Sequence, residues 1–348
     1  MNRLVAPMIG ALAVLTACAG GSTTAVVETS VESASDGTSA TTDPPATSVS
    51  ASSVADSIDP EQTEDSTEHV SPVIEVGGEP CSPTYAAGVT DVAVDRVDGR
   101  RTYVVHRPDV NDRRLPLLVD LHGTTATSAL QEATSRLGAT GISSGGWITV
   151  TPQAIGPVSA WSVPGAVPGD DLNFVEEIVV DLVEHACADL DRVFAAGFSS
   201  GAAMATWLGC ESTLFAGVAP VAGVNLARVC EDAPPVSLLA FHGTGDTIVP
   251  MEGLEDWDGD RFDDLRLFYR GDARATVESW ARRNGCENQP TVSPQSPVST
   301  RYEWSDCDAG TTVTFVVTEG AGHVWPVPGS GGSVDASAEI RTRFLEVP

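Results

Sequence analysis

The pentapeptide Gly197-Phe198-Ser199-Ser200-Gly201 follows the apolar run Val193-Phe194-Ala195-Ala196 and precedes Ala202-Ala203-Met204-Ala205. A β-branched and aromatic run, a turn flanked by glycines and a run of small residues read as strand, sharp turn and helix, with the serine at the apex. Glycines two positions before and after that serine leave room where strand and helix cross closely. A hydroxyl held at such an apex can attack a carbonyl carbon, so the chemistry indicated is nucleophilic acyl transfer.

The serine needs a base, and the base needs an acid, arriving in the chain order Ser, Asp/Glu, His for a turn of this kind. Of the six histidines, His69, His106, His122, His185 and His242 precede any plausible acid, which leaves His323 in Glu319-Gly320-Ala321-Gly322-His323. The acid is assigned to Asp246, which follows the apolar strand Leu238–Phe241 and the tight loop His242-Gly243-Thr244-Gly245. Asp232 precedes that strand, Asp256, Asp258 and Asp260 lie farther along, and Asp306 and Asp308 precede the final strand at the wrong end of the sheet. Two backbone N–H groups are expected to hold a developing oxyanion, one on Ser200 and one on Thr124 after Leu121-His122-Gly123. His122 itself is expected to be a structural loop residue. No cysteine or histidine cluster has metal-ligand spacing, so neither metal nor cofactor is expected.

The elements that must position these groups are legible as patterns. Asp91–Val97 alternates, and Arg101–His106 completes a hairpin around Asp98-Gly99. Leu115–Leu121 is a continuous apolar strand covered on both faces. Helices are expected over 126–137, from Asp170 or Asp171 (either able to cap) to Cys187, from the turn to Cys210, over 273–283 and near 337–345, with strands at 147–150, 215–221, 236–241 and 311–317. Strands alternating with helices predict an α/β class: a mostly parallel central sheet with helices on both faces, in one domain spanning 80–348.

Outside that domain, Arg3 and the apolar stretch Leu4–Ala17 form a short leader ending in Leu15-Thr16-Ala17-Cys18, which resembles a lipobox with Cys18 as the lipidated residue. Residues 1–18 are therefore expected to direct export, and 19–79, rich in Ser, Thr and acids without Lys, Arg or aromatics, to be a disordered tether. The net charge of −29, from 19 basic against 48 acidic residues, excludes nucleic acid as a partner and leaves a lipid anchor as the expected membrane contact. With Cys18 set aside, six cysteines remain for an oxidising compartment. The sequence-local pairs Cys286–Cys307 and Cys210–Cys230 are preferred, which leaves Cys81–Cys187.

The region from Cys81 onward resembles the exported polyhydroxybutyrate-depolymerase-like proteins and the feruloyl or acetylxylan esterases of the LpqC type. The resemblance rests on LHG at 121–123, DRVFAAGFSSGAAMA at 191–205, FAGVAPVAG at 215–223, HGTGDTIVP at 242–250, WARRNGC at 280–286 and GAGHVWP at 320–326. It implies an α/β-hydrolase fold and a triad of Ser199, Asp246 and His323. Many members carry Cys and Asn where this chain has Thr124 and Ser200, a change that leaves backbone donation intact. The expected activity is ester hydrolysis on a small-molecule or oligomeric ester by a monomer, acting on feruloyl or acetyl polysaccharide esters or short polyhydroxyalkanoate oligomers. The rival readings are a serine peptidase of the same fold and a non-catalytic surface-binding lipoprotein. Trp161 and Trp325 are candidates to wall an acyl or aromatic pocket. The acidic run Asp256–Asp264 lacks the spacing of a calcium loop and is expected to be a solvated insertion.

Overall fold

The computed structural model describes residues 69–74 and 81–345, except 157, 164–169, 254–270, 288 and 329–333. The leader with Cys18, the acidic loop Asp256–Asp264 and most of the expected tether lie outside these residues. The short piece 69–74, expected as tether, instead packs on the domain. His69 Nε2 and Ser71 Oγ lie 2.9 and 2.6 Å from the buried carboxylate of Glu176, which also accepts from Ser212 Oγ at 2.6 Å. A carboxylate withdrawn from water needs such donors, and the N-terminal piece supplies two of them.

Among the described residues, ten strands form one sheet: β1 Gly88–Arg96, β2 Gly99–Arg107, β3 Leu115–Leu121, β4 Ile148–Pro152, β5 Ala188–Phe198, β6 Gly217–Val221, β7 Ser237–Gly243, β8 Thr291–Pro294, β9 Ser299–Trp304 and β10 Val313–Thr318. Their order across the sheet is β1-β2-β4-β3-β5-β6-β7-β10-β9-β8. The six strands from β4 to β10 run parallel, and antiparallel pairs flank them on both sides. Every residue of β3 is buried between two layers, the carboxyl-bearing Asp120 among its apolar neighbours, whereas β1 alternates half-buried and exposed at the edge.

The helices are α1 Ser128–Ser135, α2 Leu137–Ser144, α3 Asp171–His185, α4 Ser200–Glu211, α5 Ala273–Arg283 and α6 Ala336–Ile340, with a wider turn continuing through Leu345. Phe174 of α3, Met204 and Leu208 of α4, and Trp280 of α5 build one apolar layer, while Leu137, Ile340 and Phe344 build the other. The helix expected over 126–137 is α1, which ends where Arg136 takes φ 57°, and α2 beyond it is a further helix not expected from the sequence. The expected cap on α3 also differs. Asp170 stands at the cap position without a side-chain cap bond, and Asp171 pairs with the buried Arg101 and accepts from Ser162. Disulfides join Cys81 to Cys187, Cys210 to Cys230 and Cys286 to Cys307.

Candidate active site

β5 delivers its last residues into a turn too tight for a side chain at either flanking glycine. A Cβ on Gly197 would collide with the Gly201 carbonyl, and one on Gly201 with the Leu121 carbonyl of β3, so glycine is required at both. Between them Ser199 adopts φ 56° and ψ −116°, a conformation that non-glycine residues rarely hold and that costs about 1–3 kcal/mol. The surroundings enforce it. The Ser199 N–H donates to the Val221 carbonyl of β6 at 3.0 Å, and its own carbonyl accepts from Ala202 and Ala203 at 2.9 and 3.1 Å as α4 begins.

Asp246 and His323 come from the loops after β7 and β10, which are parallel neighbours. The two loops are fastened together: Thr244 N–H donates to Thr318 O at 3.0 Å, Gly245 N–H to Ala321 O at 2.9 Å, and Gly320 N–H to Thr244 Oγ1 at 2.9 Å. His323 Nδ1 donates to Asp246 Oδ2 at 2.7 Å, while Asp246 Oδ1 accepts from the N–H groups of Ile248 and Val249 at 2.9 and 2.8 Å. Burial opposes charge on Asp246, but the bonds from His323 and Val249 outweigh it and hold the carboxyl below the usual range. An ionised Asp246 fixes the proton of neutral His323 on Nδ1 and leaves Nε2 as the basic nitrogen.

The Phe198 ring, adjacent to Ser199, lies 4.8 Å from the His323 ring centre to centre, which places the imidazole near the elbow. Among the described residues no hydrogen bond joins Ser199 Oγ to His323, a separation common before substrate draws such groups together. The loop after β3 reaches the same place, since a Cβ on Gly123 would sit 3.3 Å from Ser199 Cβ. Ser200 opens α4, where the first N–H groups have no partner within the helix and the dipole favours negative charge. Neither Ser200 N–H nor Thr124 N–H is engaged among the described residues.

His122 is the structural residue expected. It is buried, and its Nε2 accepts from the Ala154 N–H at 3.1 Å, so the ring proton sits on Nδ1 and donates to Gly123 O at 2.8 Å. Burial pushes its pKa down, in keeping with a neutral ring. The pocket role expected of the two tryptophans is not what the structure shows. Trp161 has no exposed surface and donates from Nε1 to the His122 carbonyl at 2.7 Å, while Trp325 is 5% exposed and donates to Ser337 Oγ at 3.0 Å. Both indoles bury their ring area and satisfy their single N–H, so they brace loops instead of facing a substrate. Two surface cavities of about 620 and 600 Å³ lie along α5 and α3 and include none of Ser199, Asp246 or His323.

His242 precedes Asp246, so chain order sets it aside as a base. It is buried 3.7 Å from Asp246 Oδ2, donates from Nε2 to Val249 O at 2.8 Å, and has its pKa lowered by burial. Its ring lies next to the Asp246 carboxylate, and its place at the end of an apolar strand, four residues before Asp246, is the signal that could have found it.

No family model matches the chain. It is 28% identical over 221 residues to feruloyl esterase B of Piromyces equi, covering 61% of this chain and 40% of that protein. It is 29% identical over 228 residues to the putative esterase NocK of Nocardia uniformis subsp. tsuyamanensis, covering 61% and 65% respectively. The chain therefore spans less than two thirds of the length of either relative. Among solved structures, an acetyl xylan esterase from Aspergillus awamori superposes with a TM-score of 0.51 at 16% identity, covering 69% of this chain and 96% of that one.

The fold is that of an α/β-hydrolase. In an α/β-hydrolase the carboxyl ends of the parallel strands form the functional edge, and Ser199, Asp246 and His323 follow β5, β7 and β10 at that edge. The antiparallel hairpin β8–β9 beyond β10 lies outside the core of parallel strands and was not expected from the sequence.

Proposed function

We propose that the chain is an exported serine carboxylesterase with Ser199 as nucleophile, His323 as general base and acid, and Asp246 as the group that orients the imidazole. The observation that carries this reading is the 2.7 Å Asp246–His323 bond beside a serine held at φ 56°. His323 Nε2 takes the Ser199 proton as the hydroxyl attacks the ester carbonyl, and the oxyanion is met by the N–H groups of Ser200 and Thr124. The ring then protonates the departing alcohol, and water repeats the sequence on the acyl-enzyme.

The relatives named feruloyl esterase and acetylxylan esterase support feruloyl or acetyl esters of polysaccharide as the substrate class. Short polyhydroxyalkanoate oligomers are the further candidates. Three disulfides support an oxidising, extracellular setting, and the leader ending at Cys18 supports a lipid-anchored form.

The test is hydrolysis of p-nitrophenyl acetate, p-nitrophenyl butyrate and methyl ferulate by the purified protein beside Ser199→Ala. Turnover is expected to fall by about 10⁴-fold or more in the variant, and the ratio across the three esters sorts acetyl from feruloyl preference. A folded protein inert toward all three would replace this reading with a peptidase or a binding protein.

A further inference from the structure

The loop between β3 and α1 carries Thr124, one of the two proposed oxyanion donors, inside a turn closed by the Ala126 N–H on the Gly123 carbonyl at 3.1 Å. Thr125 stands at φ 63°, which β-branched residues resist, and its N–H reaches across to Val158 O at 2.8 Å. One side chain from outside ties the loop at both ends. Gln153, just after β4, accepts at Oε1 from the Ser128 N–H at 2.9 Å, where the loop enters α1. Its Nε2 lies 2.9 Å from His122 Nε2, where the loop leaves β3, and 2.8 Å from Ser159 Oγ, in the segment that overlies the loop.

The bonding pattern admits one assignment. A backbone N–H can only donate, so the amide oxygen must face Ser128 and the NH₂ must face His122. His122 Nε2 must then accept from both Gln153 and the Ala154 N–H, which agrees with a neutral ring protonated at Nδ1. The Gln153 main chain is itself pinned by its N–H bond to Thr102 O of β2 at 2.9 Å.

We propose that Gln153 is the positioning residue of the oxyanion loop, joining His122 before it, Ser128 after it and Ser159 above it so that the Thr124 N–H is aimed before substrate arrives. This rests on the esterase reading, and it assigns Gln153 no contact with the reacting atoms. Glutamine suits the place because it offers one acceptor and a donor pair from a single planar group. A carboxylate there could still accept from Ser128 but would set lone pairs against the His122 lone pair.

The experiment compares the wild type, Ser199→Ala, Gln153→Ala and Gln153→Glu on p-nitrophenyl acetate, with melting temperature and pH profile for each. Gln153→Ala is expected to lower kcat by about 10- to 100-fold, less than or equal to the loss of a whole oxyanion donor. KM should stay within about threefold, the split that marks a loss confined to the transition state. In Gln153→Glu the protonated acid can donate to His122 and the ionised one cannot, so activity relative to wild type should fall as pH rises.

A folded Gln153→Ala with undiminished kcat, or with its loss confined to KM, overturns the proposal. If that variant does not fold, the Gln153→Glu profile decides, and a profile parallel to wild type overturns it. An inert wild type or an active Ser199→Ala would instead sink the esterase reading and this proposal together, a pattern distinct from failure of Gln153 alone.

Discussion

Asp246 and His323, 77 residues apart in the chain, meet at 2.7 Å because the loops that carry them are fastened to each other by backbone bonds from Gly245 to Ala321 and from Thr244 to Thr318. The pair is thus built into the β7–β10 junction and does not depend on a flexible arm finding its partner. Asp246→Asn keeps the shape but presents an amide to His323 Nδ1, favouring the wrong tautomer. The expected loss in kcat is about 10⁴-fold. Comparable turnover by Asp246→Asn and the wild type would remove Asp246 from the proposed triad. Its lowered pKa also has a stability consequence. The contribution is full above the unfolded carboxyl value of about 3.9 and disappears as pH falls through the depressed folded value, so it belongs to the acid limb.

The elbow conformation predicts a conflict between stability and activity. Ser199→Gly relieves the positive φ and should abolish turnover while raising the melting temperature above that of Ser199→Ala. A gain of about 1 kcal/mol corresponds to about 2–4 °C in a domain of this size. Identical melting temperatures for the two variants would show that the turn stores no strain.

Asp120 predicts a second pH effect, of opposite sign. It is fully buried in β3, and burial pushes its carboxyl up to about 7 even though Ser135 Oγ and Gln131 Nε2 donate to it at 2.5 and 2.7 Å. Between the unfolded value near 3.9 and about 7 the native state holds a proton that the unfolded chain has released, so stability declines as pH rises through that window. Asp120→Asn removes the penalty and can keep both hydrogen bonds. Its melting temperature should match wild type near about pH 4 and exceed it by an increasing margin towards pH 8, reflecting a few kcal/mol at most. A margin independent of pH would contradict the assignment.

Sequence patterns were strongest where backbone and chemistry demanded particular residues. Gly197 and Gly201 announce a steric crossing, and the mainly apolar runs of β3 and β7 announce strands buried on both faces. Asp246 and His323, singled out by chain order, are in hydrogen-bond contact. Patterns failed where a residue's role depends on what lies across space from it. Trp161 looked available for a pocket because nothing in its neighbours reveals that its N–H is engaged by the His122 carbonyl. The break at Arg136 depends on one residue turning left-handed, and β8 hides because half-exposed, polar edge strands lack an apolar rhythm. Gln153 was invisible for the same reason, as a lone glutamine after a strand carries no motif.

The Cys81–Cys187 bond changes how the domain would bear a mechanical load. Force drawn through the chain ahead of Cys81 would, without that bond, reach Gly88 and peel β1 from β2 one hydrogen bond at a time, the weakest way to load a sheet edge. With it, the load crosses covalently to Cys187, immediately before β5, and enters the middle of the parallel sheet as shear along a strand held on both sides by β3 and β6. Pulling on the chain ahead of Cys81 would therefore leave the outer hairpin unloaded, a property suited to the proposed anchored form.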